Sequence, residues 1–195
     1  MLRVRTCVAT ECSQPALTGE RHCYRHLPDQ GAFRDRLSRG LTQYDRFSEL
    51  NLSFVPFDSL EIENKQFVNC RFSGAHFTGC TIAKSSFTLC VFDFTIHRQC
   101  SYPESDAHNC VFAGSRLVDV DFKESNVIQT SFNGSELEGV DFSDSDLLHS
   151  RFIEAAMRDV KFNNCNLKEV YFVGANQSNV SYRYSNEEDA VFDLT

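Results

Sequence analysis

The segment that decides the fold is CRFSG AHFTG CTIAK SSFTL CVFDF, residues 70–94, written here in groups of five. The first residue of each group is small and the third is large and apolar. At five-residue steps from Cys70 to Ala190, all 25 positions carry small residues. The register two positions later is mostly large and apolar from Phe72 to Phe192. No insertion interrupts this frame over about 120 residues.

A period of five is neither the 3.6 of an amphipathic helix nor the 2 of an ordinary alternating strand. A fixed internal repeat of this kind indicates a solenoid. In a coil with short sides, each side turns one small and one large side chain inward and three side chains outward. The narrow axis requires the small residues, and the large register fills the remaining core at close-packed density.

The repeat resembles that of the pentapeptide-repeat family, in which a small residue is often followed by Asp or Asn and then by Leu or Phe. The resemblance implies a right-handed, four-sided β-helix with four pentapeptides per coil. The sequence therefore predicts an all-β solenoid of about seven coils, preceded by a small N-terminal segment and a short helix. The segments that carry the resemblance are Ala75-His76-Phe77, Ser125-Asn126-Val127, Val140-Asp141-Phe142, Ser145-Asp146-Leu147 and Cys165-Asn166-Leu167.

Four pentapeptides per coil place residues twenty apart directly over one another. We expect one unbroken inward column of phenylalanines, and we expect the cysteines of the repeat to be reduced, buried thiols. The segment that joins His97, Tyr102 and Ala107 is the weakest part of the large register, and we expect His97 to be a locally satisfied core or edge residue. The phenylalanine column comprises Phe72, Phe92, Phe112, Phe132, Phe152, Phe172 and Phe192.

We divide the chain into a segment at 1–30, a connector at 31–49 and the repeat at 50–195. The connector contains Phe33 and Leu37 four residues apart, which predicts a short helix over about 32–38 that ends at Gly40. We expect the connector to complete the N-terminal cap of the solenoid. Its four arginines form either a solvated helix face or a docking surface for an acidic partner: Arg34, Arg36, Arg39 and Arg46.

Residues 1–30 contain Cys7, Cys12, Cys23 and His26, spaced as Cys-x4-Cys-x10-Cys-x2-His. Zinc prefers four Cys and His ligands in a tetrahedral arrangement. A short segment without a hydrophobic core of its own can be stabilised by such metal coordination. A closed set of four protein ligands favours a structural site over a catalytic one. Free surface thiols are the competing interpretation, and His22 is an alternative fourth ligand.

The overall composition limits the function classes. The formal net charge of −8 argues against general nucleic-acid binding. Apolar runs are too short for a membrane span, and the first residues lack the apolar core of a signal peptide. We therefore expect a cytoplasmic protein in which the nine cysteines are metal ligands and buried thiols, without a disulfide framework.

Function is expected on the outward positions, in two groups. The acidic wall, formed by residues 100–104, 120–124, 140–144 and 160–164, stacks like charges at a cost that folding does not require. It is either a partner-binding surface or a solubilising one, and its acids are Glu104, Asp121, Glu124, Asp141, Asp144 and the adjoining Asp146. The apolar wall and the C-terminal end carry Val91, Phe94, Val111, Ile153, Tyr171, Val173, Tyr182, Phe192 and Leu194.

We find no catalytic motif in the sequence. The favoured interpretation is a non-catalytic scaffold that presents a rigid, acidic and partly apolar surface to a protein partner. The alternative is implied by the family resemblance: a mimic of DNA that modulates DNA gyrase or another topoisomerase and gives fluoroquinolone tolerance. The family resemblance also implies a homodimer contact through the C-terminal coil.

Overall fold

The computed structural model describes residues 5–193, which form a β-solenoid of about seven turns with one α-helix, α1, at Gln30–Gln43. Every strand is three residues long because each side of the coil is only one pentapeptide wide. Short 3-10 turns lie at Tyr24–His26 and Glu187–Asp189. The strands are β1 Arg46–Ser48, β2 Pro56–Asp58, β3 Glu61–Glu63, β4 Gln66–Val68, β5 His76–Thr78, β6 Thr81–Ala83, β7 Ser86–Thr88, β8 Ile96–Arg98, β9 Asp106–His108, β10 Arg116–Val118, β11 Asn126–Ile128, β12 Glu136–Glu138, β13 Ala156–Arg158 and β14 Asn176–Ser178.

Parallel pairing at a separation of twenty residues builds the sides of the solenoid. The first side is the sheet β1-β4-β7-β9-β11, and the third side is the sheet β14-β13-β12-β10-β8-β5-β2. The fourth side begins with the β3–β6 pair, and the second side, on which residues 51, 71, 91, 111, 131, 151 and 171 stack, is joined by single bridges. In the third side Phe57 pairs with Phe77, and in the second Val91 pairs with Val111. The predicted four-sided circuit is confirmed.

Two long stacks of aromatic rings run through the interior, and two shorter stacks accompany them in the first coils, Phe47–Phe67–Phe87 and Phe57–Phe77–His97. The predicted column from Phe72 to Phe192 is confirmed, with neighbouring ring centroids 4.6–5.2 Å apart. A second column on the fourth side runs from Tyr102 to Tyr182, with centroids 4.8–5.4 Å apart. Rings of the two columns meet edge to face across the axis, an arrangement that aromatic pairs prefer.

The small register does more than leave space at the axis. Ser125 Oγ accepts from the backbone N–H of Ser105 at 3.3 Å and donates to the carbonyl of Tyr102 at 3.0 Å. Cys90 Sγ donates in the same manner to the carbonyl of Phe67 at 3.4 Å. These buried backbone groups lie at the corners, where an unpaired carbonyl would be costly. Serine, threonine and cysteine therefore recur because they are both short and able to hydrogen-bond. All nine cysteines are free thiols.

The last residue of each pentapeptide turns the corner in the left-handed region of backbone space. Glu104, Glu124 and Asp144 have φ of 52°, 55° and 63°, and glycines such as Gly114 take the same conformation. This region is open to Gly, Asn and Asp more readily than to other residues. The turn geometry points these side chains outward, so residues with this conformation form four columns along the edges of the solenoid.

His97 takes the place of a phenylalanine in the large register of the third side and is completely buried. Its ring stacks on Phe77 at 4.7 Å. Thr95 Oγ1 donates to the carbonyl of Phe92, so it accepts from His97 Nε2 at 3.0 Å, and Tyr102 Oη donates to Nδ1 at 2.7 Å. Both ring nitrogens of a neutral imidazole are satisfied, which confirms the expectation of a locally satisfied core histidine.

The N-terminal cap differs from the prediction in the length of its helix. Helix α1 begins after Asp29, whose carboxylate caps the N–H of Ala32 at 2.9 Å, and it continues through Gly40. The expected end at Gly40 is wrong. Leu41, one residue later, is buried against the first coil, and this burial stabilises a further turn of the helix. Solenoid pairing also begins earlier than residue 50, at β1.

The N-terminal edge strand of the third side is protected against pairing with another chain. Pro56 begins β2, the terminal strand of the third side, at a position whose N–H in later coils donates to the preceding coil. Proline has no N–H to leave unpaired at this edge. Phe33 and Leu41 of α1 belong to the same buried cluster as Leu52 of the first coil. The helix therefore closes the N-terminal end of the core.

A small dry void of about 10 Å³ lies beside Ala107, among Phe87, Phe112 and Val127. Alanine there interrupts a register that is otherwise occupied by large side chains. A void of this size lined only by carbon is at the lower limit for one water molecule and offers that water no partner.

Substituting Ala107→Val is expected to stabilise the protein by up to about 1.5 kcal/mol, because the added methyl groups fill this void and bury apolar surface. Ala155→Leu is the matched control in the small register, where the axis is full, and it is expected to cost about 1–3 kcal/mol. Urea denaturation of the three proteins measures both changes. Destabilisation by Ala107→Val would contradict the packing described here.

Burial lowers the pKa of His97 below its usual value, which neighbouring Cys100 offsets only in part. At a mildly acidic pH the imidazole of His97 is therefore protonated in the unfolded chain and neutral in the folded chain. Stability is fully present above about pH 6.5 and is lost as the pH falls below it, by up to about 1.4 kcal/mol per unit.

His97→Phe is expected to flatten the dependence of the unfolding free energy on pH between 6.5 and 5, although it also leaves the hydroxyl of Tyr102 without its partner at neutral pH. His76→Gln removes an exposed histidine of β5, one coil away, and should leave the slope as in the wild type. The contribution of the N-terminal cysteine and histidine residues is common to all three proteins. Equal slopes in the His97→Phe and wild-type proteins would refute the neutral buried imidazole.

Candidate metal centre and outer walls

Cys7, Cys12, Cys23 and His26 converge so that their ligand atoms all lie within 4.8 Å of one another. Cys7 Sγ and Cys23 Sγ lie 3.6 and 3.4 Å from His26 Nδ1, and Cys12 Sγ lies 3.9 Å from Cys23 Sγ. Tetrahedral zinc with ordinary bond lengths would separate two sulfurs by about 3.8 Å and a sulfur and a nitrogen by about 3.6 Å. The four side chains are close enough to bind one metal ion, and His22 is not among them.

Local backbone structure holds these ligands in place. Thr6 pairs with Pro15 in an antiparallel bridge, and the N–H of Cys7 donates to Gln14 at 2.9 Å. The two ends of the Cys7–Cys12 loop are thus brought together. The 3-10 turn at Tyr24–His26 follows Cys23 and returns the imidazole to its sulfur. Backbone hydrogen bonds of Cys7, Cys12 and His26 thus help to position the ligands.

Electrostatics at the cluster favour a thiolate at Cys7. Burial raises the pKa of this thiol, but the backbone amides of Cys23 and Ala9 and the His26 side chain outweigh it and lower the pKa to about 6. Burial raises the pKa of Cys23. Metals bind the thiolate form, so Cys7 is prepared for ligation and Cys23 would be deprotonated by the ion itself.

The cluster is joined directly to the solenoid. Asn51 in the first coil is buried, and its side chain donates to the carbonyl of Ala16 at 2.6 Å. Its backbone N–H donates to Thr18 Oγ1 at 2.7 Å. Leu17 and Leu27 extend the core cluster of the repeat into this segment. The metal-ligand segment and the first coil therefore form one packed unit.

The predicted basic connector is only partly free. Arg36 forms an ion pair with Glu20, and its guanidinium lies 5.8 Å from the centre of the Phe33 ring. Arg34 lines a groove between α1 and the first coil. Arg39 and Arg46 are exposed.

The structure brings the acids of the fourth side together but neutralises several of them. Asp141 Oδ2 forms ion pairs with Lys123 Nζ at 3.4 Å and with Lys161 Nζ at 3.3 Å. Its Oδ1 accepts a hydrogen bond from the hydroxyl of Ser143 at 2.6 Å. Despite the burial that raises it, the pKa of Asp141 lies below its usual value because of these partners. Asp121 also lies near Lys123, at 3.9 Å.

The remaining acids of the acidic wall are of two kinds. Asp144 accepts from the side chain of Asn164 at 2.7 Å, and Asp146, on the first side, accepts from Asn166 at 2.8 Å. Glu104 and Glu124 are exposed turn residues with no ion pair in residues 5–193. Much of the predicted like-charge repulsion is therefore relieved within the protein, and the freely presented charge is smaller than the sequence indicates.

The apolar wall coincides with the second side. Phe94 is 69% exposed and Phe54, two coils earlier in the same turn column, is 44% exposed. Each ring lies over the glycine of the next coil: a side chain at Gly114 would meet the Phe94 ring at 2.7 Å. The half-buried members of this surface flank that column, and they are Val91, Val111, Ile153, Tyr171 and Val173.

The C-terminal coil departs from the regular repeat. Gln177 is exposed and accepts from Tyr182 Oη at 2.7 Å, although its register is buried in earlier coils. Tyr182 and Phe192 are half-buried against the last rings of the two aromatic columns. Leu194 lies outside the described residues.

Sequence reasoning missed a groove of about 460 Å³ at the corner between the first and second sides. Stacking at twenty-residue intervals could have located it, since it places Ser131, Arg151 and Tyr171 in one column. The adjoining column contains His149 and Glu169, whose side chains are 3.1 Å apart. Side-chain length and pairing could not be read from that spacing.

No helix within residues 5–193 is long and apolar enough to cross a bilayer.

The repeat of this chain is similar to that of known proteins. Residues 105–181 match the family model described as "Pentapeptide repeat region". A trypsin-treated variant of QnrB1, described as a plasmid-mediated fluoroquinolone resistance protein, is 19% identical, with 75% of this chain and 79% of that chain covered and a TM-score of 0.43. HetL, a pentapeptide-repeat protein involved in heterocyst differentiation regulation from the cyanobacterium Nostoc, is 11% identical, with 86% and 98% covered and a TM-score of 0.31.

These superpositions are too loose to bear on the function of this chain. A search of curated proteins finds no match. The family match rests instead on the repeat itself, whose frame is the same inside and outside the matched residues: Phe72 stacks on Phe92 before residue 105 in the manner of Phe152 on Phe172 after it. The chain therefore contains a pentapeptide-repeat region, and the frame of that region continues on both sides of it.

Proposed function

We propose that this protein is a non-catalytic scaffold that binds a protein partner through the apolar wall of its second side. The observation that carries the proposal is the outward column in which Phe54 and Phe94 remain 44% and 69% exposed. Large apolar residues grouped on one flat side are typical of protein contact surfaces. Folding alone does not demand aromatic residues at these turns, since Gly74 and Gly114 occupy the same column.

Rigidity supports a binding role. The outward side chains are attached to coils joined by continuous backbone hydrogen bonds, so little conformational entropy is lost on association. The partner's own chemistry is expected to be apolar at the centre of the contact with polar groups around it. The neutralised Asp141 makes the acidic wall a weaker candidate for this contact.

We further propose that Cys7, Cys12, Cys23 and His26 hold a structural Zn²⁺. The ligand separations support tetrahedral coordination, and four protein ligands leave no open position for catalysis. When bound, the ion would supply folding energy to a segment that has little core of its own. Through Asn51 that energy also secures the first coil.

The C-terminal coil is proposed as a homodimer contact. Tyr182 and Phe192 are half-buried there, and β14 is a terminal strand of its sheet with pairing on one side only. A second copy placed end to end would cover both rings.

Phe94→Asn is expected to remove partner binding while preserving the fold, because asparagine tolerates the left-handed backbone at this turn. Leu89→Asn is the matched control: Leu89 is a 55% exposed apolar turn residue with φ of 55° on the first side. The measurement is a quantitative pull-down from the native host with the wild-type, Phe94→Asn and Leu89→Asn proteins as bait. A partner protein captured by the wild type should also be captured by Leu89→Asn and should be lost with Phe94→Asn.

Identical captured sets for all three proteins would contradict a contact at the apolar wall. The DNA-mimic alternative has its own signature in a gyrase supercoiling assay. Inhibition that persists in Phe94→Asn and disappears when Glu104 and Glu124 are both changed to Gln would assign the function to the acidic wall instead.

The purified protein is expected to contain about one equivalent of zinc, held by His26 and the three cysteines. His26→Ala should lose most of the metal, whereas His22→Ala, the matched control, should retain it. Chelation should expose the N-terminal segment and first coil to proteolysis before the rest of the solenoid. Elemental analysis measures the metal. Less than half an equivalent in the wild type, or equal loss in both variants, would exclude the proposed site.

A further inference from the structure

We infer that the groove at the corner of the first and second sides binds a phosphate monoester. The groove has a volume of about 460 Å³, within the range of small-ligand sites. It is separate from the metal cluster, and the inference does not depend on the contact proposed for the apolar wall. The residues that line it include Asn109, Gln129, Ser131, His149, Arg151 and Tyr171.

The groove is built by direct stacking of successive coils. Ser131 pairs with Arg151, and Arg151 pairs with Tyr171, in parallel bridges. Their outward side chains are therefore spaced by about 4.8 Å along the axis. Gln129 and His149 lie at left-handed turns, with φ of 51° and 59°, and project outward beside that column. Two neighbouring columns thus face one ligand from two directions.

Arg151 is the centre of the site. It is exposed and makes no ion pair in the part of the chain that the structure describes. Arg116 and Arg158 on the third side, by contrast, are each within 4 Å of a carboxylate. A guanidinium without a protein partner, placed in a groove, retains its full fork of donors for a bidentate acceptor.

Several other side chains of the groove can donate hydrogen bonds to a ligand. The hydroxyls of Ser131 and Tyr171 and the side-chain amides of Asn109 and Gln129 supplement the guanidinium. Glu169 is the one carboxylate of the lining, and its Oε2 lies 3.1 Å from His149 Nδ1, so its charge is directed at the imidazole. Thr130 is buried, and its hydroxyl already donates to a backbone carbonyl.

A phosphate monoester matches this donor set better than a carboxylate does. A carboxylate offers two oxygens in one plane, which a single arginine fork would satisfy. A phosphate offers three strong acceptor oxygens in a tetrahedral arrangement and carries up to two negative charges. It can engage Arg151 with two oxygens while the third reaches the hydroxyl of Ser131 or Tyr171 or an amide of Gln129.

Titration of the isotope-labelled protein with O-phosphoserine, followed by NMR, tests the inference. Saturable shifts are expected at the amides near 129–131, 149–151 and 171. Arg151→Gln should weaken binding at least tenfold. Arg151→Lys should weaken it several-fold, because an ammonium group lacks the planar fork. Arg98→Gln is the matched control: Arg98 is exposed on the third side, away from the groove, and its loss should leave the affinity unchanged.

Parallel titrations distinguish the source of the phosphate. Tighter binding of AMP than of O-phosphoserine would indicate a nucleotide, and the reverse a phosphorylated side chain; either outcome supports the site, and acetate should bind more weakly than both. Phe94→Asn should bind these probes as the wild type does, so failure here and failure of the scaffold proposal are distinguishable. Absent shifts, shifts spread over all cationic residues, or equal weakening by Arg98→Gln and Arg151→Gln would overturn the inference.

Discussion

Stacking of each residue on the one twenty positions later is the constraint on which the rest of the structure depends. The backbone of every coil donates to the coils on both sides: Phe112 donates to Ser131 and Val111 donates to Cys90. One inserted or deleted residue would shift every inward position of the following coils onto an outward one. The small corner residues make this stacking feasible, since Ser125 fits near the axis and completes the hydrogen bonds of two backbone groups.

Much of this could be predicted because the period is uninterrupted. The five-residue frame, with the circuit of twenty implied by the family resemblance, identified the column from Phe72 to Phe192, and ligand chemistry identified the cluster that includes Cys7 and His26. The length of α1 could not be predicted, because burial of Leu41 against the first coil is a tertiary effect that overrides local signals. The pairing of Asp141 with lysines in the preceding and the following coil depends on side-chain conformation, which a register of positions does not specify.

The solenoid separates stability from function. Two of every five residues carry the core and corners, while the outward residues vary with little effect on the stack. This explains how one fold can present a neutralised acidic wall around Asp141, an apolar wall around Phe94 and a donor-rich groove around Arg151. The metal cluster is the exception, because Asn51 and Leu17 join it to the first coil and make it part of the cap.

Electron paramagnetic resonance distances test the stacking most directly. Spin labels attached through unnatural residues at positions 48 and 168, both exposed in one column of the first side, avoid the native thiols. Six coils separate these positions, and the four-sided stack predicts one narrow distance distribution at ~29 Å, allowing for the length of the labels. A distribution near ~38 Å, as three-sided coils of fifteen residues would give, or a broad one, would contradict the four-sided stack.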